Sequence, residues 1–402
     1  MKIRDRRNGF SLLDVIIIVI VTGVVSALTI GLIIFNGTKY ATGMSYLDLT
    51  NDKALQQFLE VYNTLLDDYY EDINKEELIA GAINGMLEYL GEDYSTYLSE
   101  SETQALIEKM SGYYKGIGIA LMPDRTIDIV YEDSPAEIAG LLVGDEIIAI
   151  NDTDVTKYSY SDITKLIKTF GDNFFKMTVI REKQEIIFDL KRNDILYPVV
   201  RQEIIEENKN KIGYLQLGSF SQTAAIQVEK ALNKLEEQEM ESLILDLRGN
   251  SGGLLTAAKE IANLFLEKGM PIYSLEEKND ITIYKDTTTN KFDKKIIILT
   301  NRGSASASEV LAAALKESYG AIIVGEKTYG KGKVQQTTKL DDGTMVKITT
   351  AKWLTPTGKC IDGIGIIPDH TVVLPEIDKE ADSENMLFED TQLMKAIDLL
   401  VY

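Results

Sequence analysis

One cysteine and one histidine stand in 402 residues. The cysteine, Cys360, excludes an internal disulfide and any metal site built from several cysteines. The histidine, His370, lies near the far end of the chain. A serine that does chemistry elsewhere must therefore give its proton to some other base. Basic residues are also scarce: Lys and Arg number 42 against 63 Asp and Glu, for a net charge of −21. That balance excludes the broad basic surface on which nucleic-acid binding depends. It also excludes adhesion to anionic lipid beyond a short basic tip of Lys2, Arg4, Arg6 and Arg7. Apolar residues, at 45% with 26% charged, are plentiful enough to build cores. The length suits two or three domains.

Val15 to Phe35 is a run of 21 residues without a charge. At about 1.5 Å per residue a helix of this length crosses a hydrocarbon core of about 30 Å. The basic residues precede it, which places the N-terminus in the cytoplasm and residues 36–402 outside. The apolar region of a cleaved secretory signal is shorter, so the expectation is an uncleaved anchor. "GFSLLD" (Gly9 to Asp14) resembles the start of type IV pilin-like signals, although those carry glutamate where this chain has Asp14. A basic tip running into an anchor remains the better reading of the stretch.

Residues 1–14 thus read as a cytoplasmic tip, 15–35 as a transmembrane anchor and 36–50 as a linker. Over 51–110 Leu55, Phe58, Leu59, Tyr62, Leu65, Leu66 and Tyr69 recur at helical spacing. Asn74 and Glu77 form a capping-box-like start for a second helix, which Gly91 ends. No catalytic constellation is visible in this helical segment; its stripe reads as packing or a dimer contact. From Ser111 short β-rich runs alternate with turns, and "SPAEIAG" and "SYSDITKLIKTF" read as helices. From about Asn193 strands and helices alternate, which implies a largely buried sheet covered by helices, with sites where strands end and helices begin.

Two such junctions stand out. "LDLRGNSGG" (Leu245 to Gly253) offers glycine amides to an anion, as a phosphate loop or an oxyanion hole would. A tight strand-to-helix turn accounts for it equally well. "GSASASEV" (Gly303 to Val310) presents three serines at a helix start, where a serine can be a nucleophile or simply a cap with Glu309. The physics of the sequence leaves Ser304, Ser306 and Ser308 equivalent. Further on, "GEKTYGKGKVQQT" flanks Lys331 with Gly330 and Gly332. A tight turn there can direct the lysine inward, where burial lowers its pKa enough for it to act as a base. Lys327 and Lys333 lack the double flank and read as solvated.

These motifs carry two resemblances. "GIGIAL", "SPAEIAGL" and "VGDEIIAIND" fall in the order of a PDZ domain of the kind found in bacterial proteases, which implies a peptide-carboxylate loop at Gly116, Ile117 and Gly118 and peptide addition as a strand. The stretch "KTFGDNFFKM" departs from the glycine-rich basic segment usual there. "GSASASEV" followed by "VGEKTYGKGKVQ" resembles the serine–lysine core of the carboxyl-terminal processing peptidases, also called tail-specific proteases. "AGAINGMLEYLGEDYSTYLSESE", "LDLRGNSGG", "WLTPTGKCIDGIGIIPD" and "DTQLMKAIDLL" extend the likeness over roughly residues 52–402.

The resemblance implies Ser306 as nucleophile, Lys331, 25 residues on, as general base, and Gln335 as the group orienting the lysine. It also implies an oxyanion hole from Ala307 and Gly252, and a structural or surface role for His370. The expected fold class is α/β multidomain: an N-terminal transmembrane helix, a helical segment at 51–110, a PDZ domain at 111–192, an α/β serine-protease core at 193–375 and a C-terminal helical tail at 376–402. The expected function is a membrane-anchored, extracytoplasmic serine endopeptidase that cleaves proteins near or from their C-termini. Its PDZ domain binds the substrate's C-terminus and gates activity. The rival is a catalytically silent, membrane-tethered PDZ peptide-binding scaffold. No metal or cofactor is implied. The expected partners are protein or peptide substrates, the membrane through the N-terminal helix, and a second copy in a homodimer; nucleic acid is not among them.

Overall fold

The computed structural model describes residues 52–289, 292–374 and 390–402. The tip, anchor and linker expected before residue 51 lie outside the described residues. Among those described, no helix is long and apolar enough to cross a membrane. The described residues divide into two compact units between Ala82 and Ile83, a boundary that falls within the second helix.

In the first unit, α1 (Lys53–Asp68) starts at Asp52, whose Oδ1 accepts the amides of Ala54 and Leu55 at 2.9 and 3.2 Å. The following helix, α2 (Lys75–Glu88), starts at Asn74, which accepts the amides of Glu76 and Glu77 and donates to Glu77 Oε1 at 3.3 Å. This is the capping arrangement expected from the spacing. Neither helix buries a residue, so the apolar stripe that includes Phe58 and Leu65 stays accessible.

Gly91, at φ +64°, follows α2 in the second unit. The helical reading of 51–110 needs a correction just beyond it. Thr96–Leu98 is a strand, β1, followed by α3 (Glu100–Ser111) with a Ser99–Glu102 capping box. β1 pairs with residues 345–347, Thr96 opposite Lys347. A partner so distant in sequence leaves no local periodicity to read.

A small mixed domain comes next: β2 (Tyr113–Gly116), β3 (Ile119–Leu121), β4 (Ile127–Val130), α4 (Pro135–Ala139), β5 (Glu146–Ile150), β6 (Thr153–Asp154), α5 (Tyr160–Thr169), β7 (Phe174–Arg181), β8 (Gln184–Lys191) and β9 (Asn193–Leu196). Ile127, Ile147, Ile150, Ile163 and Met177 fill its own core. β2 pairs with β9, Tyr113 opposite Leu196, in a two-stranded sheet of their own.

The core contains β10 (Val200–Glu207), β11 (Asn210–Leu217), α6 (Ala224–Glu237), β12 (Ser242–Asp246), α7 (Leu255–Ala262), β13 (Pro271–Glu277), β14 (Asp280–Lys285), β15 (Lys295–Thr300), α8 (Ala307–Ala314), β16 (Ile322–Gly325), β17 (Lys333–Lys339), β18 (Met345–Leu354), β19 (His370–Thr371) and α9 (Thr391–Val401). The main sheet runs β10-β11-β12-β15-β16-β19, parallel from β11 onward. The central strands β12, β15 and β16 are almost wholly apolar because both of their faces are covered. Leu243, Leu245, Ile296, Ile298 and Ile323 face α6, α7 and α8; Ile244, Ile297, Leu299 and Val324 face α9. A second sheet orders β1-β18-β13-β14, with β17 also on β18.

The C-terminal helix is tied to the turn after β12. Asp246, fully buried, receives Arg248 at 2.6 Å, and Arg248 also pairs with Asp390 at 2.8 Å. Tyr214 donates to Asp246 at 2.7 Å. Arg248→Met leaves Asp246 without its cation. It is expected to cost roughly 3–5 kcal/mol, read as a lowered denaturation midpoint.

Candidate active site

Three neighbouring parallel strands deliver three loops to one edge of the sheet. β12, β15 and β16 run in register, Asp246 opposite Leu299 and Leu299 opposite Val324. Their C-terminal ends therefore coincide, and the turns at 247–254, 301–306 and 326–332 meet there, at the strand ends where open α/β sheets place their sites.

The meeting separates the three serines. Ser304 is buried and donates to Leu247 O at 2.8 Å; Ser308 is buried and donates to Asn250 O at 2.7 Å. Both hydroxyls bind the serine turn to the β12 turn. Ser306 lies between them with φ +55° and ψ −115°, a conformation that strains any residue with a Cβ, and it lines the cleft. Gly252 (φ +99°) backs against it: a Cβ there would lie 2.9 Å from Ser306 Cβ and 2.7 Å from Ala305 O. Only glycine lets the two turns approach this closely.

Glu309 joins the serine turn to the lysine turn. Its carboxylate is fully buried. One oxygen accepts Thr328 Oγ1 at 2.6 Å and Gly330 N at 2.7 Å. The other accepts Ser306 N at 2.8 Å and Lys331 N at 2.9 Å. The sequence suggests a cap for this residue, and it does hold the Ser306 amide. Three further donors come from a turn whose proximity no local pattern reveals.

The lysine turn is glycine-flanked for two reasons. Gly330 has φ +93°. Gly332 has an ordinary φ, but a Cβ there would lie 2.9 Å from the backbone of Asp362. Trp353, fully buried, donates its indole N–H to Lys331 O at 2.8 Å. The half-buried Lys331 ammonium lies 4.8 Å from the centre of the Tyr94 ring. Burial first, and then the charge of Lys347, push its pKa below the usual lysine range, while Glu92 and Glu309 push back. Removing the Lys347 charge removes a cause of depression, so the Lys331 pKa rises. The Lys331 pKa is therefore expected to be higher in Lys347→Met, as measured by the pH dependence of acylation of Lys331; an unmoved midpoint contradicts this.

Gln335 lines the same cleft and donates Nε2 to Thr349 Oγ1 at 3.2 Å. Lys333, expected to be solvated, is half-buried and pairs with Glu92 at 3.7 Å. Glu92 also accepts Ser95 N at 2.8 Å and Thr349 Oγ1 at 3.0 Å. Burial raises its pKa, but the bonds from Ser95 and Thr349 and the Lys333 charge carry it below the usual range. The segment in which the sequence shows no catalytic constellation thus brings Glu92 and Tyr94 to the lysine.

Of the two expected oxyanion donors, Ala307 opens α8, where an amide has no intrahelical acceptor. The Gly252 amide instead donates to Asn250 Oδ1 at 2.9 Å, and Asn250 is held by its own bond to Leu217 O at 2.8 Å. In this conformation the Gly252 donor is occupied.

Residues 211–372 match peptidase family S41, 126–181 match the PDZ domain and 37–103 match the N-terminal domain of the activating protease CtpB. The carboxy-terminal processing protease CtpB of Bacillus subtilis (strain 168) is 35% identical over 335 residues, 82% of this chain and 70% of its own. The chain belongs to peptidase family S41. The same organism's carboxy-terminal processing protease CtpA is 36% identical over 373 residues, 91% of this chain and 78% of its own. A probable CtpA-like serine protease of Staphylococcus haemolyticus (strain JCSC1435) is 32% identical over 98% of this chain and 79% of its own. As an S41 member the protein is a serine-type peptidase with a PDZ domain, so the silent-scaffold alternative falls away.

In the PDZ domain of this S41 peptidase, Ile117 is buried and its carbonyl accepts Ala136 N at 2.9 Å. Gly118 (φ +83°) packs so close to Ser134 that a Cβ would lie 2.1 Å from its Cβ. Gly116 ends β2. Among the described residues β3, which follows this loop, pairs only with β4. His370, in β19, pairs with Val324 in the S41 core sheet, as a structural residue would.

Proposed function

We propose that this peptidase is a membrane-anchored, extracytoplasmic endopeptidase that cleaves proteins near or from their C-termini, with Ser306 as nucleophile, Lys331 as general base and Gln335 as the residue orienting the lysine. The observation that carries this reading is the shared carboxylate of Glu309, which accepts the amides of both Ser306 and Lys331. Ser304 and Ser308 are spent on backbone carbonyls, and Ser306 shares a cleft with a lysine whose pKa is depressed.

Neutral Lys331 Nζ takes the proton of the Ser306 hydroxyl as Oγ bonds to the scissile carbonyl carbon. The carbonyl oxygen becomes an oxyanion held by the Ala307 N–H; Gly252 joins once its amide leaves Asn250. The lysine ammonium then protonates the departing amine, leaving an acyl-enzyme. Water attacks that ester with Lys331 again as base, which releases the new C-terminus and restores Ser306. The loop at Gly116, Ile117 and Gly118 receives the substrate's terminal carboxylate, and its occupation aligns Ser306, Lys331 and Gln335. The basic tip and apolar run before residue 36 supply the anchor, and the accessible stripe of α1 a homodimer contact.

The test is cleavage of an unstructured protein such as casein by residues 36–402 and by Ser306→Ala, with and without a C-terminal peptide. Cleavage by the parent alone, stimulated by the peptide, is expected. Equal cleavage by both proteins contradicts the assignment. Stimulation that persists in Gly118→Val removes the PDZ loop from the gating.

A further inference from the structure

The Gln335 amide looks the same to its neighbours either way round unless something fixes which end accepts and which donates. Glu92 supplies the fixing group. Its side chain is only 11% exposed, and as an ionised carboxylate it accepts and cannot donate. The Thr349 hydroxyl lies 3.0 Å from both of its oxygens. A hydroxyl has one proton, and here it goes to Glu92. Thr349 Oγ1 can then only accept, so the group facing it at 3.2 Å must be the Gln335 NH₂. The Gln335 carbonyl oxygen is left as the acceptor in the cleft that also holds Lys331.

Both junctions of this chain are braced from outside. Ser95 donates to Glu92 through its amide at 2.8 Å and through its hydroxyl, and that hydroxyl accepts the Thr349 amide at 3.1 Å. Lys333 adds its charge at 3.7 Å. β17 carries a bulge between Val334 and Gln335, and Gln335 and Thr349 stand opposite each other in the register beyond it. The turn after α2 and two strands of the core thus meet at one polar chain.

We propose that Glu92 is a positioning residue that, through Thr349, fixes the Gln335 amide with its carbonyl oxygen presented to the lysine. This rests on the Ser306–Lys331 reading above. The N-terminal segment then completes the catalytic cleft rather than only preceding it. Its loss acts on turnover, because substrate binding groups are untouched while the geometry around the base loosens.

The experiment measures kcat and KM on casein-derived peptide for Glu92→Gln, Thr349→Val, Thr349→Ser and Gln335→Ala in the 36–402 protein, and for Glu92→Gln combined with Gln335→Ala. Denaturation midpoints of all are recorded. Glu92→Gln lets the side chain donate and removes the fixed direction; kcat is expected to fall about ten- to a hundredfold with KM changed less than about twofold. Thr349→Val, nearly isosteric, is expected to reproduce that fall, and Thr349→Ser to restore kcat. In the Gln335→Ala background, measured above the acid limb of the pH profile because loss of the Glu92 charge also lowers the Lys331 pKa, Glu92→Gln is expected to add nothing. A fully active Thr349→Val, a loss confined to KM, or a full additional loss in the double variant overturns the proposal. Ser306→Ala, run alongside, separates the two readings. Inactive Ser306→Ala with active Thr349→Val overturns the relay alone, whereas cleavage by Ser306→Ala overturns the catalytic assignment and the relay with it.

Discussion

Ser306→Ala is expected to lower kcat/KM on an unstructured substrate by at least about a thousandfold while leaving the protein as stable as the parent. The reason lies in what the side chain does and does not touch. The neighbouring serines hold the turn together, and Ser306 contributes its backbone amide to Glu309 instead. Alanine keeps that amide and keeps the strain of φ +55°. Glycine removes the strain, so Ser306→Gly is expected to be equally inactive and more stable by roughly 1 kcal/mol or more. Inactivity combined with a raised denaturation midpoint is the mark of strain held at a working position. Retained activity in Ser306→Ala, or a lowered midpoint in Ser306→Gly, contradicts it. Ser304→Ala and Ser308→Ala are expected to lower the midpoint instead, since each removes a buried bond that ties the serine turn to the turn after β12.

Glu309→Gln is the other substitution with a large expected consequence. Four donors converge on the two carboxylate oxygens, two on each. An amide offers one oxygen. Whichever way it turns, its NH₂ faces two donors that have lost their acceptor in a fully buried place. The expected cost is about 2–4 kcal/mol. Stability alone does not account for the functional consequence. The same carboxylate sets the spacing between the Ser306 and Lys331 turns, so kcat at a temperature where the variant is still folded is expected to fall about a hundredfold. Thr328→Val removes one donor and leaves the bonds to both turns; it is expected to be destabilised with most of its kcat retained. If both variants lose stability and activity in the same proportion, Glu309 is only a folding residue.

How far the sequence foretells this arrangement depends on the range of each interaction. The central strands β12, β15 and β16 are legible because each is a short apolar run covered on both faces, and the Asn74 and Ser134 helix starts because caps are local. Lys331 stands out because its two glycines are written beside it. The partners of these groups are not legible. Thr96–Leu98 takes its structure from residues 345–347, and Glu92 gains its meaning from Thr349. Neither relation leaves a periodic trace. The separation of Ser306 from Ser304 and Ser308 has the same origin, since it is decided by carbonyls of the 247–250 turn. Gly252 likewise has a partner that the sequence does not announce. Its type and place suit an oxyanion donor, but in this conformation the buried Asn250 has taken its amide.

The most direct measurement is covalent trapping of the nucleophile. A fluorophosphonate reacts with an activated serine by forming a phosphorus–oxygen bond and expelling fluoride. The 36–402 protein and its Lys331→Ala variant are treated alike over a range of pH, and the modified peptide is located by tandem mass spectrometry. The expected result is one modification, on Ser306, with a rate that rises as Lys331 loses its proton and collapses in Lys331→Ala. Modification of Ser304 or Ser308, or labelling of Ser306 at an equal rate without Lys331, would contradict the serine–lysine mechanism.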